Sequence, residues 1–336
     1  MPDSQNAPAD QSVLVPERSD FDLGTDSETE LVAGPTQHQN ASPSVLVGIP
    51  AYNEAETIRD TVVAAKAYAD EVLVVDDGST DETGDRVQSG GATLLRHTEN
   101  QGYGAALETI FNYAHLRGVK HLLILDADRQ HDISDIPDLI ATQQETGAEL
   151  VTGSRFTGDS ETEMPRYRQL GLTVINSLTN LSLRLGYSYT TLSDTQCGFR
   201  AYDSEAIETM ATAEEIDSGM GASLDILFQA AREGHDIVEV PTQIQYNVEN
   251  PSSKNPVIHG VSLLKSLFLS VIRDRPVRMG SILGLSCLSL LGISIVLQQT
   301  TMTAISLFAP VLFVFVLLFM LILPKKGRRG SDRTDQ

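Results

Sequence analysis

Three short hydrophobic runs in this chain end in acidic side chains. Residues 45–49 lead into Pro50-Ala51-Tyr52-Asn53-Glu54, residues 72–75 into Asp76-Asp77-Gly78-Ser79, and residues 121–125 into Asp126-Ala127-Asp128. Two further strand-like runs fall at 93–96 and 150–152, and helical patterns fill the gaps at 55–69, 81–89, 102–116 and 133–146. Strands alternating with helices predict an α/β fold, a Rossmann-like and mostly parallel sheet covered on both faces. In such a sheet ligands bind at the carboxyl ends of the strands. All three acidic clusters sit at those ends. Beyond 152 the pattern predicts a longer helix at 165–186, with Pro165 at its start, and a loop and short strand over 193–202. A helix at 221–233 and a strand at 237–240 follow.

The pair Asp126 and Asp128 carries the clearest chemistry. In an extended segment residues i and i+2 point the same way. Two carboxylates leaving a buried strand together can hold a divalent cation, and such a cation can clamp a substrate diphosphate. The plainer alternative is that these acids only cap the next loop or helix.

Charge and hydropathy divide the remaining chain. The 336 residues carry 24 Lys and Arg against 45 Asp and Glu, a formal charge of −21. That balance excludes a nonspecific nucleic-acid binder, which needs a basic face. It also suits a protein kept soluble in concentrated salt, so a halophilic source is expected. Residues 1–43 are acidic and polar with no sustained period, and read as a disordered tail. They contain no apolar segment of the kind a secretory signal needs. The only cysteines, Cys197 and Cys287, form no disulfide framework, which accords with a reducing compartment. Residues 280–298 and 303–323 are mostly apolar and free of charge. Each approaches the roughly 20 residues that a helix needs to cross a bilayer. Arg273, Arg275 and Arg278 precede the pair, and Lys325, Lys326, Arg328 and Arg329 follow it. Positive flanks at both outer ends predict a membrane hairpin with both ends cytoplasmic. Residues 257–272 read as amphipathic and suited to a membrane surface. The expected organisation is a tail at 1–43, a catalytic domain at 44–250 and a surface segment at 251–278. Two spans at 279–324 and a basic tail at 325–336 complete it.

Six motifs occur in one order: Pro50-Ala51-Tyr52-Asn53-Glu54-Ala55, Val75-Asp76-Asp77-Gly78-Ser79-Thr80-Asp81, Asn100-Gln101-Gly102-Tyr103-Gly104-Ala105-Ala106, Asp126-Ala127-Asp128-Arg129-Gln130-His131, Gly153-Ser154-Arg155-Phe156 and Asp194-Thr195-Gln196-Cys197-Gly198-Phe199-Arg200. Together they resemble the family-2 glycosyltransferases of GT-A fold, closest to the dolichol-phosphate mannose synthases and other polyprenyl-phosphate hexosyltransferases. The resemblance spans roughly 45–240, and a C-terminal membrane hairpin recurs in that branch. It implies that Pro50, Tyr52, Glu54 and Asp76 line a nucleotide pocket and that Asp77 helps close it. It further implies that Asp126, Asp128 and Gln130 bind Mg2+ or Mn2+, with His131 behind them. Arg155, Arg168 and Arg200 become candidate phosphate binders, since arginine's planar fork matches phosphate oxygens. Asp194 is the candidate base or acceptor-orienting residue. Asp225 stands where relatives often carry Glu, and Lys254 and His259 are candidates for the acceptor headgroup.

The function implied is transfer of a hexose from a nucleotide sugar, of UDP-glucose or GDP-mannose type, to a polyprenyl or dolichyl phosphate. The enzyme would invert configuration and sit on the cytoplasmic face of a cell membrane, beside its lipid partner. Two alternatives share the same motifs. One is a transferase extending a lipid-linked oligosaccharide or surface polysaccharide; the other is a membrane scaffold that keeps the fold without turnover.

Overall fold

The computed structural model describes residues 29–33, 42–158, 166–187, 191–213 and 221–243. Lys254, His259, both expected spans and the basic tail lie outside the described residues. Among the described residues no helix is long and apolar enough to cross a membrane.

Eight strands form one sheet: β1 (Thr29–Ala33), β2 (Val45–Ala51), β3 (Glu71–Asp76), β4 (Thr93–His97), β5 (His121–Ile124), β6 (Leu150–Ser154), β7 (Arg200–Asp203) and β8 (Ile237–Pro241). Their order across the sheet is β1-β4-β3-β2-β5-β7-β6-β8. The central strands are hydrophobic runs buried on both faces, as a sheet covered on two sides requires. In β3, for example, Leu73, Val74 and Val75 are all fully buried, each contributing about 1.5–3 kcal/mol by leaving water. The helices are α1 (Ile58–Ala65), α2 (Thr83–Gly90), α3 (Tyr103–Leu116), α4 (Ile136–Thr146), α5 (Arg166–Tyr187), α6 (Ser204–Ala211) and α7 (Ala222–Glu233). Ile58 and Val62 of α1, Val87 of α2 and Leu139 of α4 share one cluster with Val47, Val74, Leu94 and Leu123. The other face meets α3. A side chain at Gly48 would collide with Ile110 there, and Phe111 stands edge-on to Tyr202 with ring centroids 4.9 Å apart.

Two features depart from the expected mostly parallel sheet and disordered tail. β7 runs antiparallel to both β5 and β6, so the sheet is mixed. The residues before β7 lie beside those that follow β5 and β6, Asp194 against Arg155 and Gly198 against Asp126, so the strand enters the sheet from the carboxyl ends of its neighbours. Within the segment read as a tail, β1 pairs antiparallel with β4, Leu31 opposite Leu95. An open sheet edge offers unpaired main-chain groups, and five residues with a Leu-Val centre suffice to take them. Helix α6 was also not anticipated. Its signal was Asp203, whose carboxylate accepts the amides of Glu205 and Ala206 at 3.0 and 2.8 Å.

Candidate active site

The adjacent parallel strands β3, β2 and β5 deliver their three motifs to one edge of the sheet. Hydrogen bonds between the loops hold them in register. Asn53, at φ 56°, receives the Thr80 amide on its side-chain oxygen at 2.9 Å and donates its own amide to Ser79 Oγ at 2.9 Å. The Glu54 amide reaches Thr83 Oγ1 at 2.8 Å. Gly78 sits at φ +70° with its Cα against the backbone of Glu99 and Asn100, so no side chain fits there.

Of the expected nucleotide-pocket residues, Tyr52 is exposed, Glu54 half-buried, and Pro50 and Asp76 buried. Asp76 accepts the Ser79 amide through Oδ1 at 2.9 Å. Its Oδ2 lies 3.2 Å from Arg96 Nε but has no hydrogen-bond partner among the described residues. A buried acceptor without a bond is costly, and a donor group of a bound base or ribose would satisfy it. Asp77 acts one step back. Its carboxylate accepts the amides of Gln101 and Gly102 at 2.9 and 2.8 Å and pairs with His97 Nδ1 at 2.7 Å. Asp77 thereby fixes the turn at Gly102, φ 101°, from which α3 starts.

That turn places Tyr103, whose hydroxyl donates to Asp126 Oδ1 at 3.1 Å. Burial and the neighbouring Asp126 charge hold this phenol well above its ordinary pKa, so it stays a donor. On the other side His131 Nε2 lies 3.5 Å from Asp126 Oδ2, its ring stacked obliquely on Phe199. Gly198 leaves room for the carboxylate, since a Cβ there would stand 3.0 Å from Oδ2. Burial pushes the Asp126 carboxyl upward. The His131, Tyr103 and Arg200 groups outweigh that and leave it below the usual carboxylate value. Asp128 is shifted the other way, by burial and then by the charge of Asp126, although the Gln130 amide donates to its Oδ1 at 3.0 Å. Glu54 is raised by burial and by Asp128 and Asp126. Arg129, at φ 60°, turns the chain sharply between Asp128 and Gln130.

These residues fit a divalent cation. Like charges crowded at one edge are relieved by a positive ion, and hard oxygen donors suit Mg2+ or Mn2+. Among the described residues no three His, Cys, Asp or Glu side chains converge into a closed cage. Two carboxylates at an open edge match a cation that completes its shell with substrate phosphates and water. Asp126 and Asp128 are the ligands this geometry offers, with half-buried Gln130 beside them.

Asp194 and Arg200, expected to meet substrate, are both enclosed. Arg155 and Asp194 form a two-pronged pair, Nε to Oδ2 at 2.5 Å and Nη2 to Oδ1 at 2.7 Å, and the Arg155 amide also reaches Oδ2 at 3.2 Å. Asp194 is fully buried and also accepts the Gln196 amide. With its oxygens engaged in this way, Asp194 orients Arg155. Arg200 is 1% exposed and spends its Nη atoms on the carbonyls of Ser223 and Thr195. It supplies positive charge behind Asp126 rather than a surface contact to phosphate. The backbone of Arg168 lies in α5, and its side chain is outside the described residues. Asp225 is half-buried in the first turn of α7. Sequence reasoning missed Tyr103 as a partner of Asp126, although it lies inside a quoted motif. It also missed Glu239, which accepts the amides of Ser193 and Asp194 at 2.8 Å each. Asn176 and Asn180 escaped notice too. They hold the same loop, and amides inside a polar helix give no signal.

A family model described as glycosyl transferase family 2 matches residues 46–210. An undecaprenyl-phosphate mannosyltransferase of Micrococcus luteus is 32% identical over 59% of this chain and 82% of its own. The chain belongs to glycosyl transferase family 2. It is a glycosyltransferase, and its relatives include polyprenyl-phosphate sugar transferases. The polyprenol monophosphomannose synthase of Mycolicibacterium smegmatis is 30% identical, covering 62% of this chain and 82% of that one. In fold, this family-2 transferase is similar to the glucosyl-3-phosphoglycerate synthase of Mycobacterium tuberculosis solved with Mn2+, uridine diphosphate and phosphoglyceric acid. There the TM-score is 0.53 at 19% identity, over 68% of this chain and 78% of that one. The expected GT-A architecture is thus shown, as a mixed sheet.

Proposed function

We propose that this transferase moves a hexose from a nucleotide sugar to a polyprenyl or dolichyl phosphate, on the cytoplasmic face of the membrane, with inversion at the anomeric carbon. The observation that carries the reading is the open pair Asp126 and Asp128, held by Tyr103, at the edge where β2 and β3 present Glu54 and Asp76. The nucleotide binds over Pro50, Tyr52 and Asp76. Asp126 and Asp128 would hold Mg2+ or Mn2+, which when bound would neutralise charge on the departing diphosphate. A phosphate oxygen of the lipid attacks the anomeric carbon. The bond from that carbon to the diphosphate oxygen breaks, and the nucleoside diphosphate leaves with the electron pair. The acceptor is already an anion, so the step needs no protein base, in keeping with a buried Asp194. Arg155 is the proposed contact for phosphate oxygens; Asp194 fixes its guanidinium and matches its charge, and the Phe156 ring centre lies 5.9 Å from it. The names of the relatives support a polyprenyl acceptor, and the apolar residues 280–298 and 303–323 support membrane anchoring.

The test incubates the full chain in membranes with radiolabelled UDP-glucose, GDP-mannose and related donors, each with a polyprenyl phosphate. One labelled sugar should enter the organic phase, and EDTA should stop it until Mn2+ or Mg2+ is restored. Label found only in multi-sugar products would instead assign a hydroxyl acceptor. Full transfer in EDTA would remove the role given to the aspartate pair.

A further inference from the structure

His97 is the last residue of β4, and it is only 1% exposed. Ring nitrogens so enclosed need partners, and both have one. Nδ1 lies 2.7 Å from Asp77 Oδ1, and Nε2 lies 2.9 Å from Thr109 Oγ1. Asp77 and Thr109 are themselves buried. Both Asp77 oxygens accept main-chain amides, Oδ1 that of Gln101 and Oδ2 that of Gly102. The proton between Asp77 and His97 therefore belongs to the ring, on Nδ1, and in the neutral ring Nε2 accepts from the Thr109 hydroxyl. His97 thus ties the loop after β3 to the body of α3.

The two amides that Asp77 accepts belong to the turn at Gly102, and they would travel with a carboxylate that swung about its Cβ. The imidazole would not. It stands on β4, whose backbone pairs with β3 on one side and β1 on the other. With Asp77 held, Gly102 keeps φ 101° and α3 starts where the Tyr103 hydroxyl meets Asp126 Oδ1 at 3.1 Å. The bond to Thr109 fixes the same helix further along. We propose that His97 is a positioning residue for the divalent cation: it locks the Asp77 carboxylate, the turn at Gly102 and hence the Tyr103 hydroxyl on Asp126. The inference rests on Asp126 and Asp128 as the cation's ligands. A histidine that merely filled the core would cost stability when replaced and leave cation affinity alone.

Two substitutions separate the ring's two links. In His97→Asn the amide nitrogen can stand in for Nδ1 and donate to Asp77. In His97→Gln it can stand in for Nε2 and meet Thr109, which leaves Asp77 without its third donor. Both remove ring volume from the core, so both should lower Tm. Groups that orient a ligand directly commonly matter by about 10–100-fold, and His97 stands behind them. Mn2+ binding to the full chain, measured by calorimetry, should therefore weaken by roughly fivefold in His97→Gln and stay within about twofold in His97→Asn. Because the effect runs through Tyr103, His97→Gln combined with Tyr103→Phe should bind Mn2+ no more weakly than Tyr103→Phe alone. Unchanged affinity in His97→Gln overturns the proposal. So do equal losses in the two single variants, and losses that add in the double variant. Should His97→Gln fail to fold, a loss beyond about twofold in His97→Asn overturns it. On the unaltered chain, 15N NMR should show Nδ1 protonated in the histidine whose signal is missing from His97→Asn; a proton on Nε2 alone overturns the link to Asp77. Failure of the unaltered chain to bind Mn2+ would sink the cation reading and this role with it, whereas binding that ignores His97→Gln sinks the role of His97 alone.

Discussion

Asp126 and Asp128 leave the same strand two residues apart, yet their surroundings push their carboxyls in opposite directions. Tyr103, His131 and Arg200 stabilise the charge on Asp126, whereas Asp128 has the Gln130 amide and the repulsion of Asp126. Replacing Asp128 with Asn should reduce transfer to background while the circular dichroism spectrum and Tm stay within error, because the Asn side-chain oxygen can still accept the Gln130 amide. Retained activity would rule out its role as a ligand. Tyr103→Phe removes one hydroxyl and no volume of consequence. Groups that orient a ligating carboxylate commonly matter by 10–100-fold, so Mn2+ binding measured by calorimetry should weaken by roughly tenfold or more. An unchanged affinity would show that Asp126 keeps its place unaided. The partnership was invisible in the sequence, since 23 residues separate Tyr103 from Asp126 and only the turn at Gly102 brings them together.

At the scale of elements, the loop before β7 is the least self-sufficient part of the site. It has no ladder of its own and hangs on side chains of α5 and on Glu239 of β8. Asn180 supplies both a donor and an acceptor to the buried backbone of Leu192. Asn180→Ala strands both groups and should lower unfolding free energy by about 2–4 kcal/mol in a urea titration. A loss below about 0.5 kcal/mol would mean that water replaces the amide without penalty. Most strands and helices here were legible because each is a run of suitable length with a matching period. β1 was not. Five residues inside an acidic stretch carry too little pattern, and their strand character comes from the edge of β4 that they join.

Across the whole molecule, one thiol reports on the integrity of the core. Burial and then the charge of Asp194 push Cys197 up to about 12. A raised thiol pKa means less thiolate at any working pH, roughly a thousandfold less at pH 8 than for an ordinary cysteine. Alkylation of the Cys197 peptide, followed by mass spectrometry, should therefore track global unfolding and stay slow between pH 7 and 9. Labelling at the rate of a free thiol would show an open core. The charge of −21 acts on the same scale. Self-repulsion among the acids should relax as salt is added. Tm should rise by about 5 °C from dilute to molar KCl; a flat or falling Tm would argue against the expected saline habitat.

The order of strands and helices, the acidic clusters at strand ends and the family resemblance could all be read from residues alone, because they are local patterns of period and spacing. What those patterns omit is direction. A single strand looks the same whichever way it runs, and only the assembled sheet shows β7 reversed between β5 and β6. That reversal puts the residues before β7 at the edge reached by the residues after β5 and β6. Asp194 thus meets Arg155, and Gly198 makes room for Asp126. Burial is equally nonlocal. Asp194 and Arg200 read as candidates for contact with substrate, but long-range packing encloses both, and a buried charge must serve the partner that neutralises it.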